Sequence, residues 1–125
     1  MNTPANLKYT KSDEWFDPAS GKMGLTDYAQ GQLSDIVFVE MLVDAGDTLE
    51  VGKAIVSVES VKASAEIFAS ASGKVAEVNK GLSDKPETLN TDPFGAGWMV
   101  KVDGGNFADA MDAAAYIEYC ESRAH

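Results

Sequence analysis

The chain carries few side chains suited to catalysis. Its 125 residues include one histidine, His125, and one cysteine, Cys120. With both close to the same end of the sequence, His-based triads, Cys–His dyads and thiolate or imidazole zinc sites are all but excluded. Carboxylates, lysines and hydroxyls remain. Among them Lys62 is singled out by its setting. Together with Ser60 and Val61 it separates two strand-like runs, residues 54–59 (AIVSVE) and 63–70 (ASAEIFAS). So short a separation requires a tight hairpin with Val61 and Lys62 at the tip, although the usual Asn-Gly or Asp-Gly is missing. The Lys62 ammonium must then face water, because an unpaired buried cation is costly. Residue physics alone reads such a lysine as solvated surface.

The elements that position it follow from the rest of the pattern. Residues 7–11 form a short strand, 17–21 a turn and 22–25 another strand. Thr26 is placed to cap a short helix over 27–33, with Asp27 in its first turn. Residues 36–39 (IVFV) are a compact apolar run and are expected to be a buried strand. Turns are expected at 45–48 and 52–53, a chain break at Ser72-Gly73, a strand over 74–79, one helical turn near 86–89 and a last strand over 98–102. Phe107, Ala110, Met111, Ala114, Ile117 and Cys120 recur at spacings of three and four, which draws an apolar helical stripe. Cys120 on that stripe reads as a small buried hydrophobe. The fold class is mostly β, a sandwich or flattened barrel with helix at its edges.

Length points to one domain over 1–125, and 45% apolar residues suit a globular core. Ten basic against twenty acidic residues give a net charge of −10. That field repels nucleic acid and anionic membrane surfaces and favours basic protein surfaces. A single cysteine allows no internal disulfide, and no stretch reads as a signal peptide or a membrane span. A bacterial cytoplasmic protein is expected, with a processed mitochondrial matrix protein as the alternative. Monomer is the default.

Glu59-Ser60-Val61-Lys62-Ala63, followed by residues 72–79 (SGKVAEVN), resembles the lipoylation segment of glycine cleavage H proteins. The similarity continues upstream through Tyr9-Thr10-Lys11-Ser12, Glu14-Trp15, residues 24–30 (GLTDYAQ), Leu33 and residues 35–40 (DIVFVE). Downstream it takes in Asn90, Asp92-Pro93, Gly97-Trp98 and Tyr119. It covers the chain from Lys8 to Glu121. There are two departures: Asp13-Glu14-Trp15 stands where the family commonly has His-Glu-Trp, and Ser70 where a proline is usual. Losing that proline should matter little, whereas Asp13 leaves the neighbourhood of Glu14 more acidic.

The resemblance implies a biotinyl/lipoyl-like barrel-sandwich hybrid, with its core at about 7–103 and C-terminal helices at about 106–123. It implies lipoic acid joined covalently to Lys62, with Glu59, Ser60, Val61 and Ala63 as flanking recognition residues. Glu14 and Glu66 match the acidic positions of an arm-docking cleft, and both also read as ordinary solvated carboxylates. The implied role is a non-catalytic carrier. It takes the aminomethyl group of glycine from a pyridoxal-phosphate decarboxylase to a tetrahydrofolate-dependent aminomethyltransferase, and its dithiol to dihydrolipoyl dehydrogenase. A lipoate ligase or a lipoyl/octanoyl transferase would load it. Biotin carriers usually place Met on both sides of the lysine, against Val61 and Ala63 here. Lipoyl domains of 2-oxoacid dehydrogenases favour Asp-Lys-Ala and belong to larger chains. An H-like lipoyl relay or signalling carrier outside glycine cleavage is the alternative, motivated by Asp13. A binding domain that is never lipoylated forms a third class.

Overall fold

The computed structural model describes residues 3–106 and 110–123. Among these residues, nine strands form two sheets whose neighbours are all antiparallel. The larger runs β1-β2-β3-β9-β8-β5, from β1 (Lys8–Tyr9), β2 (Glu14–Phe16), β3 (Lys22–Leu25), β5 (Thr48–Leu49), β8 (Ser72–Val78) and β9 (Val100–Asn106). The smaller runs β4-β6-β7, from β4 (Ile36–Met41), β6 (Ala54–Ser60) and β7 (Ser64–Phe68). This is the mostly β, two-sheet hybrid expected, with helices at its edges.

Period-2 alternation builds two cores. Phe16, Met23, Leu25, Val75, Val100 and Val102 of the larger sheet meet Val39, Ile55, Val56, Val58 and Ile67 of the smaller one. Trp15, on the opposite face of β2 from Phe16, belongs to a second cluster with Leu7, Tyr9, Tyr116 and Cys120. The C-terminal helix α4 (Ala113–Arg123) supplies Tyr116 and Cys120. Tyr9 and Tyr116 stack there with ring centroids 4.7 Å apart. Cys120 is a small buried residue of this cluster, as expected, and burial pushes its thiol pKa up.

Helix α1 spans Asp27–Leu33, and the Thr26 hydroxyl accepts from the Ala29 N–H at 3.2 Å as its N-cap. Asn90 in α3 (Thr88–Thr91) then fixes the entry to β4. Its Nδ2 donates to Gln30 Oε1 and the Ser34 carbonyl, while its Oδ1 accepts from the Ile36 N–H.

Several expectations need correction. β4 is not a buried strand throughout: Val37 is 55% and Phe38 48% exposed. A β-bulge between Ile36 and Phe38 inserts an extra residue, and both side chains emerge on the outer face. Ser72 and Gly73 do not break the chain. They open β8, where Gly73 adopts φ 144° opposite Leu49. β9 begins at Val100 and runs on to Asn106, and the helix begins at Ala113, after Met111 pairs with Tyr9. The stripe turns inward on Tyr116 and Cys120, leaving Ala114 and Ile117 exposed, because the stacked tyrosines set the helix rotation. Phe107 and His125 lie outside the described residues. The one helical turn expected near 86–89 is matched by α3, and α2 (Gly81–Asp84) precedes it.

Candidate functional site

Strands β6 and β7 pair with Glu59 opposite Ser64, and the Ser60 N–H donates to the Ala63 carbonyl at 2.8 Å. Val61 and Lys62 are thereby held at the tip, both exposed. Neither has positive φ, so the turn is not one of the primed types that need Asn-Gly. Ser60 substitutes for that chemistry. Its Oγ accepts from the N–H groups of Lys62 at 3.1 Å and Ala63 at 2.9 Å, and donates to the Ala63 carbonyl at 3.1 Å. The Val61 N–H reaches across to the Asp35 carbonyl at 3.0 Å, tying the tip to the start of β4. A free lysine amine is thus presented to solvent on a backbone that is itself well fixed.

Glu59 and Glu66 are exposed on the outer face of the smaller sheet. Glu14 is different. It shares the face of β2 that carries Phe16 toward the core, and it is only 2% exposed. Its Oε1 accepts from Thr10 Oγ1 at 2.8 Å and Ser12 Oγ at 2.6 Å. Its Oε2 is buried without a hydrogen-bonding partner among the described residues. Desolvation raises its pKa to about 7; the bonds from Ser12 and Thr10 and the nearby Phe68 N–H pull the other way, and Asp13 adds a little to the rise. The reading of Glu14 as an ordinary solvated carboxylate is therefore wrong.

Two clefts flank β7 and share Ser12. One, of about 190 Å³, is walled by Leu25, Ala29, Leu33, Ala65 and Ile67, with Glu66, Asp13 and Arg123 at its polar side. The other, of about 220 Å³, is lined by Thr10, Ser12, Glu14, Val51, Phe68 and Ser70. Glu66 and Glu14 thus line neighbouring clefts rather than the same one. At about 3.3 Å per strand residue, Ala65 and Glu66 lie roughly 10–13 Å along β7 from Lys62, nearer than Phe68.

Asp13 adopts φ 72°. Its carboxylate takes a bidentate pair from Arg123 at 2.7 and 2.8 Å and a third bond from the Tyr116 hydroxyl at 2.8 Å. The Arg123 guanidinium lies between the rings of Tyr28 and Tyr119, 4.7 and 4.8 Å from their centroids. The extra negative charge foreseen beside Glu14 is largely met by this cation. Ser70 is buried and its hydroxyl donates to the Trp15 carbonyl at 3.1 Å, a bond that proline has no group to make. Sequence reasoning gave Thr10, Ser12, Ser70 and Arg123 no part in the site. Only the short Thr-x-Ser-x-Glu spacing hinted at two of them.

A two-sheet antiparallel hybrid that fixes an exposed lysine at a hairpin tip is the layout of a lysine-linked prosthetic-group carrier. The family model described as glycine cleavage H-protein matches residues 7–123, and the chain belongs to that family. It is 49% identical over 125 residues to a glycine cleavage system H protein of Chlorobium luteolum, covering 94% of this chain and 97% of that one. A probable glycine cleavage system H protein of Halobacterium salinarum is 41% identical over 124 residues, covering 99% and 96%. The crystal structure of a glycine cleavage system H protein from Mycobacterium marinum superposes with a TM-score of 0.84 at 34% identity, over 98% of this chain and 99% of that one.

Proposed function

We propose that this chain is the lipoyl carrier of a glycine cleavage system, with Lys62 as the attachment residue. One observation carries the reading. In a chain that matches the H-protein family over residues 7–123, the lysine of the Glu59–Ala63 block stands exposed at a hairpin tip knitted by Ser60. When bound, lipoate supplies a cyclic disulfide that takes up the aminomethyl group left by decarboxylation of glycine, together with two electrons.

The chain's own work is to present, to shelter and to be recognised. Lys62 offers its amine free of any ion pair among the described residues, and amide formation removes its charge. Glu59, Ser60, Val61 and Ala63 form the surface that a loading enzyme reads. The cleft between β7 and α1 offers apolar walls of Leu25, Ala29, Leu33, Ala65 and Ile67 that exclude water from a long hydrocarbon arm. Glu66 beside it, and Glu14 beyond Ser12 with an oxygen lacking a donor, suit a protonated amine.

The chain acts as a carrier and the hard chemistry belongs to its partners. These are glycine decarboxylase, aminomethyltransferase and dihydrolipoyl dehydrogenase, with a lipoate ligase or lipoyl/octanoyl transferase for loading. The whole chain serves as one carrier domain in a bacterial cytoplasm; none of its described helices is long and apolar enough to cross a membrane. A relay role outside glycine cleavage was motivated by Asp13, and the bonds from Arg123 and Tyr116 account for that residue without a change of function.

The test is intact mass before and after incubation with a lipoate ligase proven on another H protein, lipoate and ATP. The chain should gain one lipoyl group and Lys62→Ala none. A gain that persists in Lys62→Ala, or no gain in the parent, would overturn the assignment.

A further inference from the structure

The outer face of the β4-β6-β7 sheet has an arrangement that the carrier role does not by itself require. The bulge in β4 exposes Val37 and Phe38 side by side, and Val61 at the tip is 70% exposed. They are neighbours. Phe38 stands opposite Glu59, two residues before Val61, and the Val61 N–H is bonded to Asp35, two residues before Val37. Single exposed apolar residues need no explanation, but three at one end of one sheet form a patch.

The patch has an acidic surround. Asp35 and Glu59 border it, and Glu40 and Glu66 lie opposite Ser57 in the next cross-strand row, all of them exposed. Across all three strands and the tip, Lys62 is the only basic residue. An apolar centre with a charged rim of one sign is the anatomy of a recognition surface, and its sign calls for a basic partner.

We infer that the Val37–Phe38–Val61 patch with its carboxylate rim is the docking site of the enzyme that acylates Lys62, and that this partner offers an apolar hollow edged by lysine and arginine. The inference rests on the assignment of Lys62 above and names the surface that serves it. Chemistry selects this occupant over the other partners. An acylating enzyme must bring its activated carboxyl to Nζ itself, so it must cover the tip and whatever adjoins it. A partner that works on the far end of an arm needs no contact with the backbone at residues 61–63.

Steady-state loading kinetics test this, with apo chain as the varied substrate, lipoate ligase, lipoate and ATP, and product read by intact mass. Phe38→Thr and Val37→Thr each place a β-branched side chain on the strand and remove apolar surface that is already exposed, so the melting temperature should hold. KM for the chain should rise about tenfold in Phe38→Thr, with kcat within about twofold of the parent. Glu40→Lys should raise KM in the same direction at low salt and converge with the parent at high salt. Ile117→Ser, exposed on α4, should match the parent throughout.

Parent-like KM values in both threonine variants and in Glu40→Lys would overturn the inference while leaving Lys62 as the attachment residue. Normal loading of these variants combined with poor acceptance by glycine decarboxylase would also overturn it, by assigning the patch to a different partner. No loading of the parent would sink the assignment of Lys62 and this inference with it.

Discussion

Glu14 keeps one oxygen bonded to two hydroxyls and the other without a donor, in a place where water hardly reaches. Its proton is therefore linked to folding. Below its ordinary value of 4.5 the carboxyl is neutral in both the folded and the unfolded chain. Between 4.5 and about 7 the unfolded chain releases the proton while the folded one retains it, so stability falls as pH rises. Above about 7 both are ionised and the loss is complete. Glu14→Gln removes this linkage. Relative to that variant, the parent should lose on the order of 2–3 kcal/mol between pH 4.5 and 8. Denaturant unfolding of both proteins across that range measures it, and parallel curves would refute it. Little of this was legible in the sequence. Lys62 could be located from the two strand runs around it, because a hairpin between them leaves it nowhere to go but water. Glu-Trp-Phe gives no sign that its first residue faces a core: a carboxylate is ordinarily exposed, and its burial depends on the Thr10 and Ser12 hydroxyls meeting it in three dimensions.

At the scale of elements, α4 is held to the sheet by a chain of hydrogen bonds as well as by stacking. The Tyr116 hydroxyl donates its one proton to Asp13, so the Thr26 hydroxyl, 2.7 Å away, must donate to Tyr116 while accepting from Ala29. The N-cap of one helix is thereby linked to the middle of another. Tyr116→Phe leaves the stacked ring in place and strips the link, leaving Thr26 without an acceptor in a buried position. It should cost about 1–3 kcal/mol and raise amide exchange in α1 as well as in α4. Exchange confined to α4 would show that the two helices are not coupled in this way. The limits of α1, the position of its cap and the order of the main strands could be read from local pattern, since capping and period-2 alternation act within a few residues. The bulge in β4, the run of β8 through Gly73 and the face α4 presents could not. Each is decided by register or stacking against a strand distant in sequence.

For the molecule as a whole, twenty acidic residues against ten basic ones make every encounter depend on the charge of the partner. Loading by a basic enzyme should slow as salt rises from about 20 to 500 mM, mainly through the association rate. A rate independent of salt over that range would show that the charge serves solubility alone. The distribution of the few cations has an effect of its own. The three strands of the smaller sheet hold no basic residue, and Lys62 at the tip is the only one between Lys53 and Lys74. A protease that cuts after lysine or arginine therefore has one exposed foothold in this stretch of chain, and amide formation closes it. Bare and loaded carriers would then differ in lifespan as well as in cargo, and such a protease would cull the idle copies first.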